Sequence, residues 1–318
     1  MFRAISTALF ALFAVIGGFT DHTHAEFFVV GALAAGLSHG AVDHLLSGRR
    51  HLGESLRFYV AYVGLFALMC LLWLLTPMGG TWAFFLVSAY HFGQSDFLTE
   101  NESPRGTPLL WWTRGLILII APLTAWPGQA AEFISLLAGD TGDLAAHLAA
   151  ADIPRWSVAL WLLAIHLGAL GAAKIQGAGK RQYAIDACAL TLLMTLTPPF
   201  IGFAIYFVFW HTAQHWKWAS SRLEVRDVLQ LIRLAAPMTL LAAGGMAALW
   251  FIFQPGAASL LRWSIIGISA LAVPHMLVVE MTTRESDIEL WETHFGLTSP
   301  KASQSKSKHS PAIANLDS

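Results

Sequence analysis

Thirteen histidines are spread along this 318-residue chain, and five of them, His39, His91, His211, His215 and His275, fall inside hydrophobic stretches long enough to span a bilayer. An imidazole in lipid is costly unless it faces the protein interior and pairs or binds something there. Each of the five lies a similar distance from the end of its stretch. That shared depth predicts one buried layer, and a layer of imidazoles predicts a metal site. The surrounding segments read SHGAVDHLL (His39, Asp43, His44), AYHFGQSDF (His91, Gln94, Asp96), FWHTAQHWKW (His211, Gln214, His215) and VPHMLVVE (Pro274, His275, Glu280). His211 and His215 are spaced i, i+4, which sets both rings on one face of an α-helix, as a bidentate metal clamp requires. His39 and Asp43 share that spacing, so Asp43 is expected to orient an imidazole by accepting its second N–H. Gly40 and Gly93, close behind two of the histidines, predict tight helix approach.

An all-imidazole set without thiolate suits iron, zinc, copper or nickel rather than calcium or magnesium. Four neutral imidazoles leave the charge of the ion uncompensated, and Asp43 and Asp96 are the carboxylates placed to offset it from outside the ligand set. A four-histidine ferrous site keeps positions open for O2, and in an apolar membrane cavity it suits oxidation of a lipid-soluble substrate. Tyr90, Phe92, Phe203, Tyr206, Phe207, Phe209 and Trp210 crowd the same segments. They offer walls for an apolar tunnel, with lipid or core packing as the competing reading. Each histidine taken alone also has a competing reading, as a hydrogen-bond partner between helices. His166, at similar depth in AIHLGAL, is read as packed or hydrogen-bonded. His22, His24, His51, His147, His294 and His309 fall in loops or the tail.

The elements that must carry this layer follow from composition. The chain is 56% hydrophobic and 12% charged, where a soluble domain carries roughly 25% charged residues. This predicts an all-α, polytopic transmembrane bundle. Net charge is −1, which gives no footing for nucleic acid. Cys70 and Cys188 make neither a metal spacing nor a disulfide framework. Ten helices are read, at 3–20, 26–47, 55–76, 81–98, 109–126, 155–174, 182–197, 199–220, 235–254 and 260–282, with Thr197-Pro198-Pro199 splitting the pair at 182–220. This count places 17 of the 19 Lys and Arg residues on one side, with Arg105 and Arg114 flanking one loop, and leaves Arg155 and Arg262 for the other. The positive-inside rule then puts both termini in the cytoplasm of a multi-pass inner (plasma) membrane protein. Residues 1–25 form an amino-terminal helix and short external loop; a signal peptide ending near 23–25 is the alternative. Residues 26–284 form the catalytic bundle, and 285–318 a polar tail, largely disordered. The longest connection, the external loop 127–154, is read as surface loop, with Phe133, Ile134, Leu136 and Leu137 able to form a short interfacial helix.

The motifs HGAVDH at 39–44, HFGQSD at 91–96, HTAQH at 211–215 and PHM at 274–276 resemble those of the Brp/Blh family, the bacterial and archaeal membrane β-carotene 15,15′-dioxygenases. The resemblance covers roughly residues 26–284. It implies oxidative cleavage of β-carotene by O2 at its central double bond, giving two molecules of all-trans-retinal, which typically serve a rhodopsin. It also implies Fe(II) held by His39, His91, His211 and His215, four of the five that the buried layer singles out, with His275 as an extra. The substrate pocket is assigned to Tyr90, Phe92, Tyr206, Trp210, His275 and Met276. Whether His44, His166 or His275 joins the ligand set stays open. Two other classes compete. A membrane di-iron desaturase or hydroxylase wants about eight histidines including adjacent pairs, and this chain has no His-His pair. A haem protein or transporter could also use midplane histidines, but a transporter more often shows inverted repeats and broken helices.

Overall fold

The computed structural model describes residues 12, 36–47, 52–98, 108–139, 154, 156–173, 175, 177–253 and 257–294. It is all-α. Ten helical rods follow one another among the described residues. Helix α1 is a 3-10 segment, Leu37–Val42, running into one α-turn, Asp43–Leu46. Then come α2 (Leu52–Leu75), α3 (Pro77–Ser95), α4 (Pro108–Ala125), α5 (Pro127–Ala138), α6 (Ser157–Ala172) and α7 (Gly177–Leu196). Helix α8 is composite: Pro199–Ile205, a π-helical turn Tyr206–Thr212, and Ala213–Arg222. Helices α9 (Val228–Phe253) and α10 (Ala257–His294) complete the bundle.

Proline sets several of these joints. Pro77, Pro127 and Pro199 each occupy the first turn of a helix, where the missing N–H costs nothing. The Pro198-Pro199 pair separates α7 from α8, as the sequence predicts. Four segments are long and apolar enough to cross a membrane: Leu56–Leu75, Pro108–Ala125, Val228–Gly245 and Leu261–Thr283. The chain is a multi-pass membrane protein. On α2, Leu56, Val60, Val63, Leu68, Leu71 and Leu74 are exposed while Met69 and Trp73 are buried. Such a surface is apolar outward and pays no penalty against lipid tails.

Polar and small residues bring the helices together where lipid gives no hydrophobic drive. Helix α3 packs on α4, and α4 packs in turn on α6 and α7. The α3–α4 contact is backbone-close: a Cβ on Gly93 would run into the carbonyl of Trp111, and one on Gly115 into that of Ala89. Helix α10 packs on α2, α3 and α5, and α1 lies against α8, α9 and α10. Trp73 Nε1 donates to Ser269 Oγ at 2.7 Å, tying α2 to α10.

Two sequence expectations are corrected here. The connection 127–154 is not surface loop at its start. Residues Pro127–Ala138 form α5, which buries Ile134 and Leu137 against α3, α4 and α10 and stops at Gly139 with φ 86°. Arg114, read as a charge flanking a loop, is buried inside α4 at 3% exposed. Apart from residue 12, the amino-terminal span 3–20 lies outside the described residues, as do the start of the span 26–47, loop residues 140–153 and the tail from 295.

Candidate metal centre

The first histidine is positioned by tight winding. Gly36 and Gly40 weaken α-propensity at the start of α1, and Leu37–Val42 winds as a 3-10 helix. His39 Nδ1 donates to the Gly36 carbonyl three residues back, which fixes its tautomer and leaves Nε2 free to ligate. Winding also decides the partner of Asp43. At 3.0 residues per turn, four residues advance to a position about 120° off the original face. Asp43 therefore does not reach back to His39. Its carboxylate accepts from His275 Nδ1 on α10 at 2.9 and 3.0 Å, and its Oδ2 accepts from Tyr62 O–H on α2 at 3.0 Å.

His91 comes from α3, His211 from the π turn of α8, and His215 from the α-turn after it. All five imidazoles of the layer are buried. His39 lies 4.8 Å from His211, 5.2 Å from His215 and 4.8 Å from His275, centroid to centroid. His91 lies 5.1 Å from His211 and 4.9 Å from His275. The i, i+4 pair is the widest of these, with His211 and His215 centroids 6.4 Å apart. The ligand atoms fall into two adjoining triads, His39–His91–His211 and Asp43–His215–His275, with no separation above 4.8 Å within either.

The donor set fits a metal ion. His91 Nδ1 and Nε2, His211 Nδ1, His215 Nδ1 and Nε2, and His275 Nε2 are buried without a hydrogen-bond partner. Each such orphan costs about 1–3 kcal/mol, a penalty that coordination would remove for one nitrogen of each ligating ring. The Nε2 atoms of His39 and His211 are 3.3 Å apart. Adjacent nitrogens on one ion with bonds of roughly 2.0–2.1 Å sit at about that separation.

A cavity of about 380 Å³ opens on these rings. Its walls come from α1, α2, α3, α8, α9 and α10, with Phe66, Phe84, Phe92, Phe203 and Phe207 over the histidines. The lining also includes Val63 and Leu241, which are 61% and 70% exposed. Among the described residues the cavity therefore reaches the apolar outer surface of the membrane-crossing helices α2 and α9. Phe207 stacks on His211 with an 11° interplanar angle.

Of the residues expected in the pocket, Phe92 and His275 line it, and His44 also does. Tyr90 is instead engaged with Glu280, donating at 3.1 Å, and Gln94 donates to the same Glu280 oxygen. Tyr206 and Trp210 turn the other way, donating to Asp96 Oδ1 at 3.0 and 2.8 Å. Met276 is half-buried and outside the lining. Asp96 also accepts from Arg114 Nε at 2.6 Å, and that ion pair is 2–3% exposed. Its charge is thus matched by Arg114, and its structural effect on the centre is to brace the turn that carries His211. His166 Nδ1 meets Thr113 Oγ1 at 3.0 Å, on α6 away from the cluster. Tyr62 and Arg114 were not among the expected site residues. An arginine inside LLWWTRGLILII is itself the signal that was available, since an intramembrane cation needs a carboxylate partner.

The comparisons with known proteins agree with the motifs. A family model described as beta-carotene 15,15′-dioxygenase matches residues 30–283. A Halobacterium salinarum protein named probable beta-carotene 15,15′-dioxygenase Blh is 27% identical over 299 residues, covering 80% of this chain and 83% of that protein. The beta-carotene 15,15′-dioxygenase of the uncultured marine bacterium 66A03 is 23% identical over 262 residues, covering 78% of this chain and 90% of that protein. No solved structure matches the chain.

Proposed function

The chain belongs to the β-carotene 15,15′-dioxygenase family, and on that premise we propose that it cleaves the central double bond of β-carotene with O2 at an iron centre held by His39, His91, His211 and His215. The products are two molecules of all-trans-retinal. One oxygen atom enters each aldehyde, so the reaction balances without an external reductant. The observation that carries this reading is the buried imidazole cluster at the wall of an apolar cavity that reaches the outer surface of membrane-crossing helices.

Fe(II) would supply the binding and activation of O2 through positions the protein leaves open. Everything else falls to the chain. A carotenoid enters from the bilayer past Val63 and Leu241, and the phenylalanines grip the polyene across the histidines. Such gripping holds one double bond beside the metal and converts a chance encounter into a fixed geometry. The apolar walls exclude water from the reacting carbons. Asp43 and Asp96 act from outside the ligand set, one on an imidazole and the other on the helix that presents His211. Retinal leaves into the same bilayer, where a rhodopsin would take it up. The membrane is the inner (plasma) membrane, with both termini cytoplasmic.

The test is expression in a bacterium that accumulates β-carotene, with carotene and retinal quantified by chromatography. The expected result is about two retinals per carotene consumed, one iron per chain, and loss of both iron and activity in His211→Ala with the protein still in the membrane. Unchanged carotene in iron-replete membranes containing the protein would refute the reading. Two irons per chain would favour a desaturase, and a haem Soret band a haem protein.

A further inference from the structure

The family resemblance implies four histidine ligands, but the cluster contains five. His275 is not at its edge. Its ring lies 4.8 Å from His39, 4.9 Å from His91 and 4.9 Å from His215, each nearer than His211 is to His215. Both oxygens of Asp43 approach Nδ1. Nδ1 is therefore the donor, and in the neutral ring Nε2 carries the lone pair. That Nε2 is buried and has no hydrogen-bond partner. A carboxylate–imidazole pair with the second nitrogen free is the arrangement that metal-ligating histidines commonly show.

Charge points the same way. Asp43 is 2% exposed, and among the described residues no Lys or Arg lies within ion-pair distance of it. A buried carboxylate without a positive counterpart is expensive. Asp96 has Arg114; Asp43 has a neutral phenol and an imidazole. A cation bound to the far nitrogen of that imidazole gives Asp43 its counterpart. Gly40 gives room for the approach: a Cβ there would stand 3.3 Å from His275 Nδ1, and the ring would have to give by a few tenths of an ångström.

We infer that His275 is a fifth imidazole ligand of the same ion, oriented by Asp43, which Tyr62 holds in turn. This deepens the reading above and rests on its metal centre. Five imidazoles leave one position of a six-coordinate ferrous ion for O2.

The test uses the full chain purified in detergent and loaded with Fe(II). X-ray absorption counts imidazole nitrogens, and titration gives iron affinity. Five imidazoles are expected in the wild type and four in His275→Ala, with affinity lower by at least tenfold. Asp43→Asn is expected to keep five while losing roughly tenfold in affinity. A wild-type count of four overturns the inference whether or not His275→Ala folds. So does an unchanged count and affinity in a folded His275→Ala. Retinal formation with four imidazoles would overturn the fifth ligand alone, whereas a wild-type chain that holds no metal and leaves carotene intact would overturn the proposed function with it.

Discussion

Removing the Asp96 side chain takes away the acceptor of three buried donors at once. Arg114 Nε sits at 2.6 Å, Trp210 Nε1 at 2.8 Å and Tyr206 O–H at 3.0 Å. The guanidinium cannot escape to solvent, since its side chain is 3% exposed. Breaking a buried pair from one side costs about 3–5 kcal/mol when the remaining charge is left uncompensated; Asp186 also attracts Arg114, so the cost here falls toward the lower end. Asp96→Ala should therefore lower the unfolding temperature by roughly 6–20 °C, at about 2–4 °C per kcal/mol for a chain of this order. Asp96→Ala with Arg114→Met removes the stranded charge as well. The same two neutral donors are unpaired in both variants, at about 1–3 kcal/mol each, so the double variant, which lacks the unpaired charge, should be more stable than the single. Tryptophan fluorescence during heating of purified protein reads both. Iron content should fall in both, since Tyr206 and Trp210 frame the turn carrying His211. A single variant as stable as wild type, or a double variant less stable than the single, would refute the assignment of the cost to the buried charge.

Gly93→Ala drives a methyl group into the Trp111 carbonyl, a backbone atom that cannot step aside; a loss of about 1–3 kcal/mol is expected from thermal unfolding, together with weaker iron binding as α3 carries His91 away. Tyr62→Phe deletes one hydrogen bond to Asp43 and should cost about 1 kcal/mol in iron binding, measured by metal titration. Leu241→Trp narrows the cavity where it reaches the outer surface of α9. It should raise the carotene concentration needed for half-maximal rate several-fold while leaving iron per chain unchanged. Stripping iron with a chelator should abolish retinal formation, and adding Fe(II) back should restore it.

The fold was legible because bilayer crossing makes a coarse demand, about twenty apolar residues per helix, and the chain meets it repeatedly. The histidines stood out against that apolar background for the same reason. What the pattern hid was winding. Reading 37–46 and 199–222 as plain α-helix gives each residue a definite face, yet Leu37–Val42 is tighter and Tyr206–Thr212 wider. The partner of Asp43 was misplaced by the first departure. Tyr206 and Trp210 were sent to the pocket when they face Asp96, within the second. Arg114 was hidden differently: five residues from the boundary expected at 109–126, it read as flanking charge, and only the packing of α4 on α3 shows it against Asp96. Tyr62 carried no signal, being one aromatic among many on an apolar helix.

The wide turn at Tyr206–Thr212 has a consequence for how this helix can change. A π turn takes up one residue more than regular winding and sits inside an otherwise ordinary helix. The segment Pro199–Ile205 and the segment Ala213–Arg222 are thus separated by a surplus residue, and each keeps its own buried side, Ile201 and Ile205 in one, His215, Trp218 and Ala219 in the other. Deleting a single residue such as Val208 would let the rod relax to uniform pitch with both sides still inward. Adding one would instead swing everything downstream by about 100°. Along this stretch shortening is the forgiving alteration and lengthening the damaging one, with the reach of His211 toward His39 as what the surplus residue secures.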